Sequence, residues 1–200
     1  MIHPHTQIGY ISDEVGFGVI ATQFIPAGTI TWALDDLDQE FTPQQFEAMD
    51  PVYKNIIDIY CYRNKHGNFV LCWDNGRFVN HSFNANCLST AYDFEIAIRD
   101  IQPGEQLTDD YGYLNITEPF RGIDENTERK IVYPDDLKNY HKEWDEKLLK
   151  VFDKIPQVKQ DLRMLITDET WKNVESIAQD KMKMKSILEN LYVQQEYKSA

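Results

Sequence analysis

The chain has 200 residues, 42% hydrophobic and 12% aromatic, enough for one sizeable core with at most a small helical appendage. Its formal net charge of -13 argues against nucleic acid as a direct partner, because phosphate binding relies on clustered Lys and Arg. No run approaches the roughly 18 apolar residues that cross a bilayer, and Met1-Ile2-His3-Pro4-His5 lacks a basic stretch followed by an apolar one, so a soluble, unexported protein with no membrane partner is expected.

The first stretch of chain reads as short β-rich runs broken by turn residues. Strands are predicted at Gln7 to Ile11, Gly18 to Thr22, Thr29 to Leu34, Phe69 to Trp73 and Glu95 to Ile98. Breaks at Pro26-Ala27-Gly28, His66-Gly67-Asn68, Asp74-Asn75-Gly76 and Gln102-Pro103-Gly104 supply residues that tolerate positive φ or fix it near -65°. One helix interrupts the series, with Thr42 and Gln45 forming a capping box and Pro43 at its first position.

Beyond about residue 133 the period becomes helical. Leu137, Tyr140, Trp144, Leu148 and Val151 form an amphipathic stripe just after Pro134-Asp135-Asp136, and Pro156 ends that helix. Val158, Leu162 and Leu165 predict a second short helix. Thr167 caps a third, with Trp171, Val174, Ala178, Ile187, Leu188 and Leu191 along its apolar face. The expected organisation is therefore a β-rich body over residues 1–115 and a helical segment over 116–200.

Charge follows the same division. Residues 1–115 carry 5 Lys/Arg against 16 Asp/Glu, whereas 116–200 carry 15 against 17. A field of that sign in the first part favours encounter with a basic, Lys-containing protein or peptide. Cys61, Cys72 and Cys87 are odd in number and widely spaced, which suggests buried thiols in a reducing compartment rather than disulfides or a metal site.

Three segments hold candidate chemistry. Gly16-Phe17-Gly18 lets backbone approach a ligand or make a tight turn. Arg77-Phe78-Val79-Asn80-His81-Ser82 sets polar side chains at the end of an apolar run, and Asn80 offers both donor and acceptor. Gly104-Glu105-Gln106-Leu107-Thr108-Asp109-Asp110-Tyr111-Gly112-Tyr113 ends in tyrosines that, read alone, are core or rim residues. Taken in order, together with Ile25-Pro26-Ala27-Gly28-Thr29-Ile30 and Arg99-Asp100-Ile101, they resemble the SET-domain protein lysine methyltransferases over about residues 7 to 115.

That resemblance implies a SET fold: several small, mostly antiparallel sheets with the last two motifs threaded through each other in a pseudoknot-like core, here followed by helices. It implies S-adenosylmethionine as cofactor, held by the backbone of Gly16, Phe17 and Gly18 and by Asn80 and His81, with Tyr111 as the catalytic tyrosine where cofactor and lysine entrances meet. Asp109 and Tyr113 would line the lysine channel. Asp109 replaces the usual Phe or Tyr two residues before the catalytic tyrosine, where it would bond the amine, hold a water or face solvent. Many relatives also hold a structural zinc here through a cysteine cluster. The position after Asn-His-Ser is Phe83, and Phe120 to Arg129 contains no cysteine, so no metal is expected.

The helical segment is then the candidate to close the pocket. Phe120 or Tyr133 would stack on the adenine, and Trp144 would pack the first helix of that segment on the core. The rival expectation is a non-catalytic SET-like module that binds a basic partner through its acidic face. With no Lys/Arg-rich import segment, the cytoplasm is the default location, and a eukaryotic source would open the nucleus.

Overall fold

The computed structural model describes residues 1–193. The chain begins with a hairpin of β1 (Thr6–Ser12) and β2 (Gly16–Ala21), whose antiparallel register pairs Gly9 with Gly18. A three-stranded sheet follows in the order β3 (Ile30–Ala33), β9 (Phe94–Ala97), β8 (Cys87–Ser89), and another joins β4 (Gln39–Phe41), β6 (Phe69–Leu71) and β5 (Cys61–Arg63). All these pairings are antiparallel, and so is that of β11 (Phe120–Arg121) with β12 (Ile131–Val132). The exception is β7 (Asn80–His81), which runs parallel to β10 (Thr108–Asp109). Small, mostly antiparallel sheets followed by helices are the architecture the sequence led us to expect.

Helix α1 (Pro43–Ala48) starts with the predicted capping box: Gln45 N donates to Thr42 Oγ1 at 3.2 Å and Thr42 N to Gln45 Oε1 at 2.8 Å. A second helix, α2 (Pro51–Tyr60), was not predicted, although Asp50 caps it and Pro51 opens it. Val52, Tyr53, Ile56, Ile57 and Tyr60 recur at helical spacing, a stripe the sequence did carry, although only Ile57 is buried in the fold.

Helix α3 (Asp136–Phe152) buries Leu137, Trp144, Leu148 and Val151, the predicted stripe. It stops four residues before Pro156, because that ring has no N–H for the Phe152 carbonyl and would clash with it. The short helix expected around Val158 to Leu165 is only a 3-10 turn at Arg163–Leu165. Thr167 caps α4 (Asp168–Ala178) as expected, but the helix does not continue to Leu191: Asp180 turns the chain at φ 55°, and Ile187–Asn190 form a separate 3-10 turn capped by Ser186.

Body and helices share one core. Ile30, Ala33, Leu88, Phe94 and Tyr113 pack in the same buried cluster as Leu137, Trp144, Leu148 and Phe152, with the Tyr113 and Trp144 rings edge to face at 5.5 Å. Gln160 joins them through the backbone as well, accepting from Ile30 N at 2.8 Å and donating to the Gly28 carbonyl at 2.9 Å. Among the described residues no helix is long and apolar enough to cross a membrane.

Candidate active site

Strands β7 and β10 set the site. Their pairing places Thr108 opposite Asn80 and Asp109 opposite His81, and Ser82 N extends it by donating to the Asp109 carbonyl at 2.8 Å. The two polar segments singled out in sequence thus lie side by side, and the glycine segment adjoins them. Asn80 Nδ2 donates to the Phe17 carbonyl and to Gln106 Oε1, both at 2.9 Å. A Cβ on Gly18 would lie 2.2 Å from Gln106 Oε1 and 2.7 Å from Asn80 Nδ2, so this close approach requires glycine.

Tyr111 follows β10 directly. Its backbone N–H donates to His81 Nδ1 at 3.2 Å, and its hydroxyl donates to the Val79 carbonyl at 2.6 Å. Burial lowers the His81 pKa against the opposing pull of Asp110, so the ring is neutral with its proton on Nε2. That Nε2 is buried without a hydrogen-bond partner among the described residues. Phe83, Tyr111 and Phe120 surround the imidazole at 4.4, 5.5 and 5.3 Å between ring centroids.

On the other side of Tyr111 lies a cavity of about 750 Å³. Asp109, Tyr111, Tyr113 and Phe120 line it, together with Glu95 and Trp32, whereas Gly16, Phe17, Gly18, Asn80 and His81 do not. Tyr111 is therefore common to the two groups. Asp109 is 5% exposed, which removes the solvent-facing alternative. Burial raises its carboxyl to about 6 and that of Glu95 well above the usual range, and Asp109 adds to the shift at Glu95. Burial, then the charges of Asp109 and Glu95, also push the Tyr111 phenol up, so it stays protonated.

A second cavity, of about 520 Å³, is lined by Phe83, Arg129, Tyr133, Tyr140 and Trp144. Tyr133 thus lines this cavity, whereas Phe120 lines the other. Arg129 is its organising residue: it pairs with Asp110, bonds Asp136 at 2.5 Å and stacks over Phe83, Tyr140 and Trp144 at 5.0, 4.5 and 5.7 Å. Nearby, Glu125 accepts from Ser82 Oγ and Phe83 N, each at 2.7 Å. Phe83 and the segment from Phe120 to Arg129 thus meet through hydrogen bonds and stacking. Among the described residues no group of three or more His, Cys, Asp or Glu side chains is placed to hold a metal.

The model of one protein family, the SET domain, matches residues 16–112. The chain carries a SET domain. Among solved structures, a Plasmodium falciparum chain described as a "putative histone methyltransferase" is similar at 20% identity, over 55% of this chain and 95% of that one, with a TM-score of 0.41. No curated protein matches. The SET domain match takes in the glycine segment, Asn80, His81, Asp109 and Tyr111, and stops before Tyr113, Phe120, Glu125 and Arg129.

Sequence reasoning missed Glu95, Gln106, Glu125 and Arg129. Glu95 carried a signal: it is the lone carboxylate in the buried strand Phe94-Glu95-Ile96-Ala97. Arg129 carried none, because its partners Asp110 and Asp136 lie 19 and 7 residues away in a stretch without periodicity. The three cysteines are free, and burial raises each thiol, that of Cys61 to about 12.

Proposed function

We propose that this chain transfers a methyl group from S-adenosylmethionine to the side-chain amine of a lysine in a basic protein, with residues 1–115 as the catalytic part and 116–200 as the segment that closes it. The observation that carries this reading is the position of Tyr111, bonded to His81 on one side and lining the Asp109 cavity on the other.

The residues present fit the cofactor. Both donors of Asn80 Nδ2 are committed, which leaves Oδ1 to accept from an ammonium, and buried His81 Nε2–H is a donor awaiting an acceptor. Phe17 and the flanking Gly16 and Gly18 offer backbone on the same side, and Phe120, packed against both His81 and Tyr111, offers an aromatic face. When bound, S-adenosylmethionine supplies an electrophilic methyl on a sulfonium.

What the protein contributes is alignment and dryness. Reacting atoms must be held at about 3–3.5 Å with water excluded. Because the Tyr111 hydroxyl gives its proton to the Val79 carbonyl, its oxygen keeps a lone pair free to accept an N–H from the amine. A phenol with a raised pKa does not take that proton at neutral pH, so Tyr111 orients the nucleophile rather than deprotonating it. Tyr113 and Asp109 line the lysine's channel.

The test is incubation of the protein with labelled S-adenosylmethionine and a panel of Lys-rich proteins, alongside calorimetric cofactor binding. Transfer is expected for the wild type, with kcat lowered roughly 10²–10³-fold in Tyr111→Phe at retained cofactor affinity, and with weakened cofactor binding in Asn80→Ala. No transfer and no cofactor binding by the wild type would sink this reading in favour of a non-catalytic module.

A further inference from the structure

We propose that Asp109 and Glu95 act as a buried acid pair that receives the ε-ammonium of the incoming lysine and takes up its proton. This rests on the methyl-transfer reading and adds what Tyr111 lacks, a proton acceptor.

The cavity is lined by groups of both signs, Arg63, Lys65, His66 and Arg77 among them, and the cation-binding features lie where Asp109 and Glu95 meet. Asp109 on β10 and Glu95 on β9 both line the large cavity, at 5% and 8% exposure. Asp109 Oδ1 and the Tyr113 hydroxyl are buried on the same wall, adjoining each other too loosely for a formed hydrogen bond and with no other partner among the described residues. Glu95 accepts from Ser89 Oγ at 3.0 Å and adjoins the Asp109 carboxyl group. Among the described residues no Lys, Arg or His forms an ion pair with either carboxyl group. A buried anion without a counter-ion is costly, and a guest that brings a positive charge relieves that cost.

The surroundings assign the charge state. Tyr62, Cys87, Tyr111 and Tyr113 face the pair and stay protonated, each raised by burial. Asp110 is spoken for by Arg129, and the N-terminal ammonium, which pulls weakly on Glu95, by Asp35. Both carboxyl groups of the pair are raised, and they titrate together, so near neutral pH the pair holds one proton and one negative charge.

When the ammonium enters, one N–H bond breaks, its proton bonds to the free carboxylate oxygen, and nitrogen keeps the electron pair. Cation and anion become two neutral groups, which burial favours. The amine is then in the form that methyl transfer needs. Asp109 touches the substrate in this scheme. Glu95 is a positioning residue, holding the shared proton against Asp109.

The first test uses the wild-type protein without cofactor, labelled with 13C at its Asp and Glu carboxyl carbons and titrated with n-butylammonium chloride near pH 7. Two carboxyl resonances that titrate together should shift and saturate, and Asp109→Asn should bind the cation at least 10-fold more weakly. Resonances that ignore the cation would overturn the proposal whatever the transfer assay shows. In the transfer assay, kcat should rise with pH through about 6 and level off. Asp109→Asn should lose that limb and roughly 10²-fold in kcat at unchanged S-adenosylmethionine affinity. Glu95→Leu should move the limb to higher pH, and Glu95→Gln, which keeps a donor towards Asp109, should restore it. An Asp109→Asn protein with the wild-type kcat and pH profile would also overturn the proposal. A wild type that binds butylammonium yet methylates nothing would overturn the methyl-transfer reading alone.

Discussion

Two pairs of buried carboxyl groups lie on either side of one peptide bond, and they are treated oppositely. Asp110 and Asp136 share Arg129, whose guanidinium bonds both and is itself only 16% exposed. Burial alone would lower the arginine's pKa, but the bonds and charges of the two aspartates outweigh it and raise it. Asp109, next to Asp110 in the chain, and Glu95 on β9 have no such cation among the described residues. The lesson is about division of labour. A carboxylate pair neutralised inside the protein is a fastener, and an equally buried pair left without its cation is a vacancy kept for a guest.

The contrast can be tested from its coarsest feature down. Removing residues 116–200 deletes Arg129, Asp136 and the Leu137, Trp144, Leu148 and Phe152 side of the core, so residues 1–115 alone should show no cooperative unfolding transition by circular dichroism and no binding of S-adenosylmethionine. Arg129→Met keeps the stacking bulk but strands two buried aspartates. It should cost about 3–5 kcal/mol in urea denaturation, a loss that high salt does not mimic.

The smallest effect has the opposite sign. Asp109 is raised from 3.8 to about 6 in the fold, so between those values the unfolded chain releases its proton first and stability falls as pH rises. His3, lowered by burial to about 4, acts the other way over an overlapping window, so the difference between the two proteins isolates Asp109 and its effect on Glu95. Asp109→Asn should match the wild type in Tm near pH 4 and exceed it by roughly 5 °C near pH 7.5, measured by calorimetry. Equal melting temperatures at both pH values would mean that Asp109 is not held under strain.

What was legible in the sequence follows from the range of the forces involved. The capping box at Thr42, the Thr167 cap and the α3 stripe depend on neighbours within four residues, and each is found. Strands β4, β5, β7, β8, β10, β11 and β12 are two or three residues long, too short to show an alternation, and were missed. The site divides in the same way. Asn80, His81, Asp109 and Tyr111 were visible because the motif carries them together. Which of them share a cavity was not, because that depends on Tyr111 bonding His81 through its backbone while lining the cavity that Glu95 also lines. Arg129 was invisible for the complementary reason: it satisfies acids contributed by distant segments, and no local pattern encodes that.

The far end of the described chain closes the near end's cavity. Asn190 lines it, and its carbonyl accepts from Asn115 Nδ2 at 2.9 Å, while Tyr192 N donates to Asn115 Oδ1 at 2.9 Å. The Tyr192 ring also lies against Gly67, and the Arg63 guanidinium stacks on it at 4.7 Å. During synthesis the strands emerge first, yet the rim of the cavity waits for the Ile187–Asn190 turn to clear the ribosome. A chain stalled short of that turn would expose its motif residues without a finished chamber.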